Sequence, residues 1–274
     1  MKVISVNGVG YDGVDVAAVT NAGIFLANAP VLRDACADMA MLLMLAVMRQ
    51  APIGQAVAAG SQPSGWDWDA MRSIIGEDPG GKTLGIIGFG RIGQTLAAKA
   101  QAAFKMKIIY YDPVKSPPNR TTGGTDAGGE ATTPYFELDP PPQWVPLDEL
   151  LATSDVVSMH ASLSASTRRM MSAPQFAKMK QGSYFVNMAR GGLVDEEDLA
   201  NALLSGHLAG AGIGEMRTAP AALRHHCLLC SVGFRLSQII MFHHGLGCLT
   251  VLVRRVPCSG QMYLKKNRMC IQSC

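Results

Sequence analysis

The sequence predicts an α/β fold, a doubly wound parallel sheet with helices on both faces. Three observations predict it. Short apolar runs, the mark of buried strands, alternate with segments of helical spacing between residues 83 and 213. A glycine-rich turn joins the first of these runs to the helix after it, and an acid ends the next run. Repeated β-α-β of this kind requires a parallel sheet covered on both sides.

The elements follow in order. Met39–Val47 is the longest apolar run and has the length of a buried helix, well short of the ~20 residues of a bilayer span. Thr83–Gly88 is a strand ending in glycine. Arg91–Phe104 is a helix, with Ile92, Leu96, Ala100 and Phe104 on one face. Lys107–Tyr111 is a second strand. Residues 113–146, rich in Pro, Gly and Thr, form a long loop. A short helix over Leu147–Ala152 leads to the strand Asp155–Met159. Ala173–Met179 is helical, Gly182 stops it, and Ser183–Met188 is a strand. Asp195 caps a helix with acids in its first turn, which runs to Leu204 and ends at Gly206. Leu208–Ile213 is the last strand. No internal repeat with a solenoid period is present.

Composition bounds the class. The chain has 274 residues, 48% of them apolar, enough to bury a sizeable core. Only a few apolar residues separate Met1-Lys2 from Asn7-Gly8, too short for a signal peptide. A cytoplasmic protein is expected, with no membrane span. The net charge of +3 conceals a break. Residues 1–215 hold all 21 acids against 16 Lys and Arg, and residues 216–274 hold 8 Lys and Arg with no acid. Six of the seven cysteines lie in that last stretch, and only Cys36 lies outside it. Residues 215–274 are therefore read as a divergent basic, Cys-rich tail.

Gly88-Phe89-Gly90-Arg91-Ile92-Gly93 fits G-x-G-x-x-G. Alone that motif is weak. Here it follows a strand, opens a helix, and has Asp112 at the end of the next strand, as in a Rossmann NAD-binding domain. Gly88 permits the tight turn, Gly90 lets a pyrophosphate approach the backbone, and Gly93 lets helix and strand pack closely. N–H groups at the helix start, at Arg91 and Ile92, meet the phosphates. Asp112 bonds the adenine ribose and repels a 2′-phosphate, so NAD is expected rather than NADP.

Val186-Asn187-Met188-Ala189-Arg190-Gly191-Gly192 puts an arginine just past the carboxyl end of a strand, where open α/β sheets bind ligands. A planar charged fork suits a 2-oxo acid, holding its carboxylate and polarising its carbonyl. On physics alone, a structural arginine paired with a loop acid is an equal alternative.

These motifs resemble the D-isomer-specific 2-hydroxyacid dehydrogenases, in particular the glyoxylate and hydroxypyruvate reductases. Gly8-Val9-Gly10-Tyr11-Asp12-Gly13-Val14-Asp15, Asn28-Ala29-Pro30, Asp34-Ala35-Cys36-Ala37-Asp38, Lys82 to Gly93, Asp155 to His160 and Asn187 to Asp195 carry the likeness across residues 1–213. The resemblance implies that Arg190 binds the substrate carboxylate and carbonyl. It implies that backbone amides of Val9 and Gly10 help hold that carboxylate, and that His160, Asn187 and Ala189 line the cofactor. It also implies a homodimer paired through Ala51–Met71. The chain departs from the family pattern at Cys36, where threonine is usual, and at Ser162, where proline is usual. It is read as a truncated substrate domain over residues 1–28, a fragment, followed by the NAD-binding domain over residues 29–214.

Hydride transfer to a 2-oxo acid also needs a proton donor. The family uses a histidine in P-H-x-G and a glutamate in D-V-F-E-x-E-P. Here Gly214, Arg217 and Ala219 stand at the acidic positions of the second motif. His243-His244-Gly245 offers an H-x-G, making His243 a catalytic candidate that lacks the partner acid. His207 reads as a capping group for its own helix. Cys227-Leu-Leu-Cys230 has no second pair at zinc spacing, so no metal is expected. The basic tail has no nucleic-acid reading motif, so nucleic acid is not an expected partner. Read-through in another frame or an unspliced intron would explain the change of composition and of family likeness near residue 214. The expected activity is NADH-dependent reduction of a small 2-oxo acid, and the rival is a non-catalytic NAD-binding module.

Overall fold

The computed structural model describes residues 2–29, 33–58, 75–113, 138–215, 236–242 and 249–255. The chain opens with β1 (Lys2–Val6), α1 (Val16–Asn21) and β2 (Ile24–Asn28). The two strands pair in parallel as a small separate sheet. Asp15 caps α1 by accepting from Ala18 N at 2.9 Å. Then come α2 (Arg33–Met48) and α3 (Ala51–Ala58). Ala37, Ala40, Leu43, Met44 and Val47 recur at helical spacing and are buried, which gives α2 one apolar face.

The large sheet is built from β3 (Thr83–Ile87), β4 (Lys107–Tyr111), β5 (Gln143–Trp144), β6 (Val156–Met159), β7 (Ser183–Asn187), β8 (Leu208–Ile213), β9 (Leu236–Phe242) and β10 (Leu249–Arg255). Between them run α4 (Arg91–Phe104), α5 (Leu147–Thr153), α6 (Ala173–Lys178) and α7 (Glu196–Leu204). The order across the sheet is β10-β9-β8-β7-β6-β3-β4-β5. Every pairing is parallel except β9 with β10.

Both faces are covered, which is why the strands read as unbroken apolar runs. On one face Leu84, Ile86, Tyr184 and Val186 pack with Leu43 and Leu96. On the other, Ile87, Val157 and Phe185 pack with Phe176, Leu199 and Leu208. The apolar face of α2 lies on β7 and β8. A Cβ at Gly212 would stand 2.8 Å from Leu43 Cβ, so β8 admits the helix only because it has glycine there. Asp195 caps α7 as expected, accepting from Glu197 N at 3.1 Å and Asp198 N at 3.3 Å.

Three expectations are corrected. The long loop is interrupted by β5, whose two residues pair with Ile109 and Tyr110 and are too few to show a period in sequence. Leu208–Ile213 is not the last strand. The free edge of β8 pairs with β9 from Gly210↔Gln238 to Ile213↔Met241, which satisfies backbone groups an edge would leave open. His207 does not cap its own helix. Its Nε2 lies 2.9 Å from the carbonyl oxygen of Met179, the residue that ends α6. The proposed pairing segment Ala51–Met71 lies largely outside the described residues.

Candidate active site

The carboxyl ends of β3, β6, β7 and β8 share one edge of the sheet. From β3 the chain moves outward to β4 and β5, then returns to β6 on the other side of β3. Strand order therefore reverses between β3 and β6, the position where such sheets open a ligand crevice. Gly88, Gly90 and Gly93 follow β3, Asp112 follows β4, His160 follows β6, and Asn187, Ala189 and Arg190 end or follow β7.

The glycine turn is built by contact. Gly88 has φ +92°, and a Cβ there would lie 2.5 Å from Ala161 N. A Cβ at Gly93 would lie 2.5 Å from the Gly88 carbonyl oxygen and 3.0 Å from Ile86 Cγ2, so α4 seats directly on the turn. Gly90 differs, because a Cβ there would meet no described residue within 4 Å. Among the described residues, space is therefore open beside the amino end of α4, which begins at Arg91 and Ile92 and has no side-chain cap. Asp112 Oδ2 accepts from Phe89 N at 3.0 Å, which ties the acid to the turn. A helix amino terminus with open room, glycine backbone and an adjacent carboxylate fits a dinucleotide.

His160 lies across the turn. Its backbone N donates to Ile87 O at 2.7 Å, and its Nε2 is 2.8 Å from Ser158 Oγ. Its Nδ1 is buried without a partner among the described residues. Burial pushes the imidazole pKa down to about 4, so the ring is neutral at ordinary pH. A buried ring nitrogen left open beside Gly88 is a place where a bound cofactor can supply the missing hydrogen bond.

Asn187 fixes the turn that carries the arginine. Its Oδ1 accepts from Ala189 N at 3.0 Å, and its Nδ2 donates to Arg190 O at 3.1 Å. Arg190 then reaches the small N-terminal sheet. Its Nε donates to Asp12 Oδ1 at 3.0 Å, and its Nη1 to Ala189 O at 2.9 Å and to Glu215 Oε2 at 3.4 Å. A Cβ at Gly10 would overlap Arg190 Nη2 and lie 2.7 Å from Cζ, so the guanidinium rests on the Gly10 backbone. That loop is held by Asn28, whose Nδ2 donates to Val9 O at 2.9 Å, and by Ala29 N donating to Gly8 O at 3.0 Å.

The fold thus brings Val9, Gly10 and Arg190 to one place, with the glycine turn and His160 on the same sheet edge. His243 lies outside the described residues. Cys36 is close enough to feel Arg190: burial pushes its thiol up, and the guanidinium pulls it the other way. Two site residues were missed in the sequence. Asp12 lies inside the Gly8–Asp15 motif, whose spacing gives no sign of its bond to Arg190. Glu215 is the last acid of the chain, and its signal was positional, since it follows β8 on the edge where Arg190 follows β7. Among the described residues no group of three or more His, Cys, Asp or Glu could hold a metal ion. Nor is any described helix long and apolar enough to cross a membrane.

Fold and site define a doubly wound NAD-binding domain that has a glycine turn and an arginine on the same sheet edge. Residues 41–244 match the model of the D-isomer specific 2-hydroxyacid dehydrogenase NAD binding domain, a match that runs past residue 214. The chain belongs to that family. It is 38% identical over 221 residues to 4-methyl-2-oxopentanoate reductase A of Aspergillus oryzae, covering 80% of this chain and 60% of the relative. Hydroxypyruvate reductase of Thermotoga maritima is also 38% identical, over 80% of this chain and 63% of its own length. Among solved structures, a glyoxylate reductase from Paecilomyes thermophila superposes with a TM-score of 0.66 at 39% identity, over 82% of this chain and 62% of that one. The chain thus spans about three fifths of the length of these relatives.

Proposed function

We propose that this chain reduces a small 2-oxo acid, such as glyoxylate or hydroxypyruvate, to the 2-hydroxy acid with NADH. The observation that carries the reading is Arg190, seated on the Gly10 backbone at the edge of the sheet that bears the glycine turn. The three relatives are named for reducing 4-methyl-2-oxopentanoate, hydroxypyruvate and glyoxylate. Those compounds share a carboxylate beside a carbonyl, the pattern a guanidinium fork recognises. NADH, when bound, supplies the hydride. Gly88, Gly90, Gly93 and the start of α4 hold its pyrophosphate, Asp112 its ribose, and His160, Asn187 and Ala189 line it. Arg190 holds the substrate carboxylate and draws charge from the carbonyl, and the Val9 and Gly10 amides complete the anion site. His243 is the candidate proton donor, without the carboxylate that would tune it. A homodimer in the cytoplasm belongs to the same proposal.

A second reading, a non-catalytic NAD-binding module, is favoured by one observation: Arg190 already has carboxylates on both sides. Loss of NADH absorbance with glyoxylate and hydroxypyruvate separates the two. Turnover supports the reductase, and tight NADH binding without turnover supports the module.

A further inference from the structure

Arg190 meets its two carboxylates in different ways. Asp12 takes Nε, at the stem side of the guanidinium, and so orients the group. Glu215 stands at Nη1, one of the two outer nitrogens that a carboxylate ligand engages end-on. The position of Glu215 follows from the sheet, because Gly214 N donates to Asn187 O at 2.8 Å and Glu215 is the next residue. Strand pairing of β7 with β8 thus delivers an internal carboxylate to the guanidinium that the proposed function assigns to substrate, at Nη1, which also donates to Ala189 O at 2.9 Å. At 3.4 Å the contact is long, and Arg190 and Glu215 are 30% and 42% exposed, so it can be displaced.

We propose that Glu215 is a specificity-determining residue: an internal anion that competes with the carboxylate of the 2-oxo acid for Arg190 and lowers the affinity of the site for monoanions. This rests on the reading of Arg190 as the group that binds the substrate carboxylate. With Asp12 and Glu215 both ionised, the guanidinium is outnumbered two charges to one. An incoming carboxylate must displace Glu215 or share Arg190 with it, and either lowers affinity. Removing the Glu215 charge leaves the Asp12 contact to hold the guanidinium in place.

The test is the binding of oxamate, which carries a carboxylate beside a carbonyl and accepts no hydride, to the NADH-loaded full chain by calorimetry. The variants are Glu215→Gln and Arg190→Gln. Glu215→Gln should tighten oxamate about threefold to fivefold, the effect of one half-exposed ion pair. The gain should shrink as ionic strength rises, and NADH affinity should stay as in the wild type. A merely structural role for Glu215 would not produce a gain that salt removes. Unchanged or weaker oxamate binding in Glu215→Gln overturns the proposal, as does a gain indifferent to salt, or no binding by wild type and Glu215→Gln alike. Arg190→Gln separates the levels. If it loses oxamate while Glu215→Gln changes nothing, only the role of Glu215 fails. If it binds oxamate like the wild type, the reading of Arg190 fails.

Discussion

Replacing Gly10 by alanine tests the site where its two halves meet. Gly10 does not have a positive φ, so alanine is allowed by the backbone, and the obstacles are two side-chain ends, the Arg190 guanidinium and Asp12 Oδ1 at 2.8 Å. The new methyl would overlap Nη2 and stand 2.7 Å from Cζ, where ordinary contact requires about 3.5 to 4 Å. The guanidinium is the far end of a flexible side chain, so it moves rather than the fold. A displacement of an ångström or more breaks the 3.0 Å bond to Asp12 and the 2.9 Å bond to Ala189 O. These are partly exposed contacts, so global stability should fall by about 1 kcal/mol or less. Misplacing a group that positions substrate by ~1 Å costs about a hundredfold in rate, or ~2.7 kcal/mol. The assay is kcat/KM for glyoxylate beside the Kd of NADH. The expected result is a large loss in the first and none in the second. Wild-type kcat/KM in Gly10→Ala would refute the placement of Arg190 on this loop.

Other outcomes follow from the same geometry. Arg190→Lys should lower kcat/KM by about 2–4 kcal/mol in transition-state stabilisation, since a point charge cannot reproduce the fork, with NADH affinity kept. Asp112→Asn keeps an oxygen for Phe89 N–H but removes the charge. It should shift the NADPH-to-NADH affinity ratio about tenfold towards NADPH, read by fluorescence titration. His160 has a folded pKa of about 4 because of burial, against about 6.5 unfolded. Its contribution to stability is complete above the unfolded value and is lost as pH falls towards the folded one, at up to about 1.4 kcal/mol per pH unit. Urea midpoints between pH 7 and pH 5 should therefore fall less steeply in His160→Gln than in the wild type.

Much of this protein was legible because its signals are local. The bounds of α4, β4 and β8 agree with the sequence reading, since each is set by apolar spacing and by the residues that start and stop it. The cap at Asp195 and the glycine turn at residues 88–93 are local too: their chemistry depends on neighbours within a few positions. Tertiary structure decided what depends on distance through space. Nothing in the spacing of Arg190 indicates that its guanidinium rests on Gly10 and bonds Asp12, 178 positions away. Glu215 becomes a site residue only when β7 pairs with β8, and His207 reaches Met179 only when α6 and β8 are neighbours. β5 and β9 belong to the sheet because an adjacent strand offers them hydrogen bonds, a cause that lies outside their own sequence. Periodicity reports the face an element buries, whereas the partner it buries that face against is fixed by the packing of the whole chain.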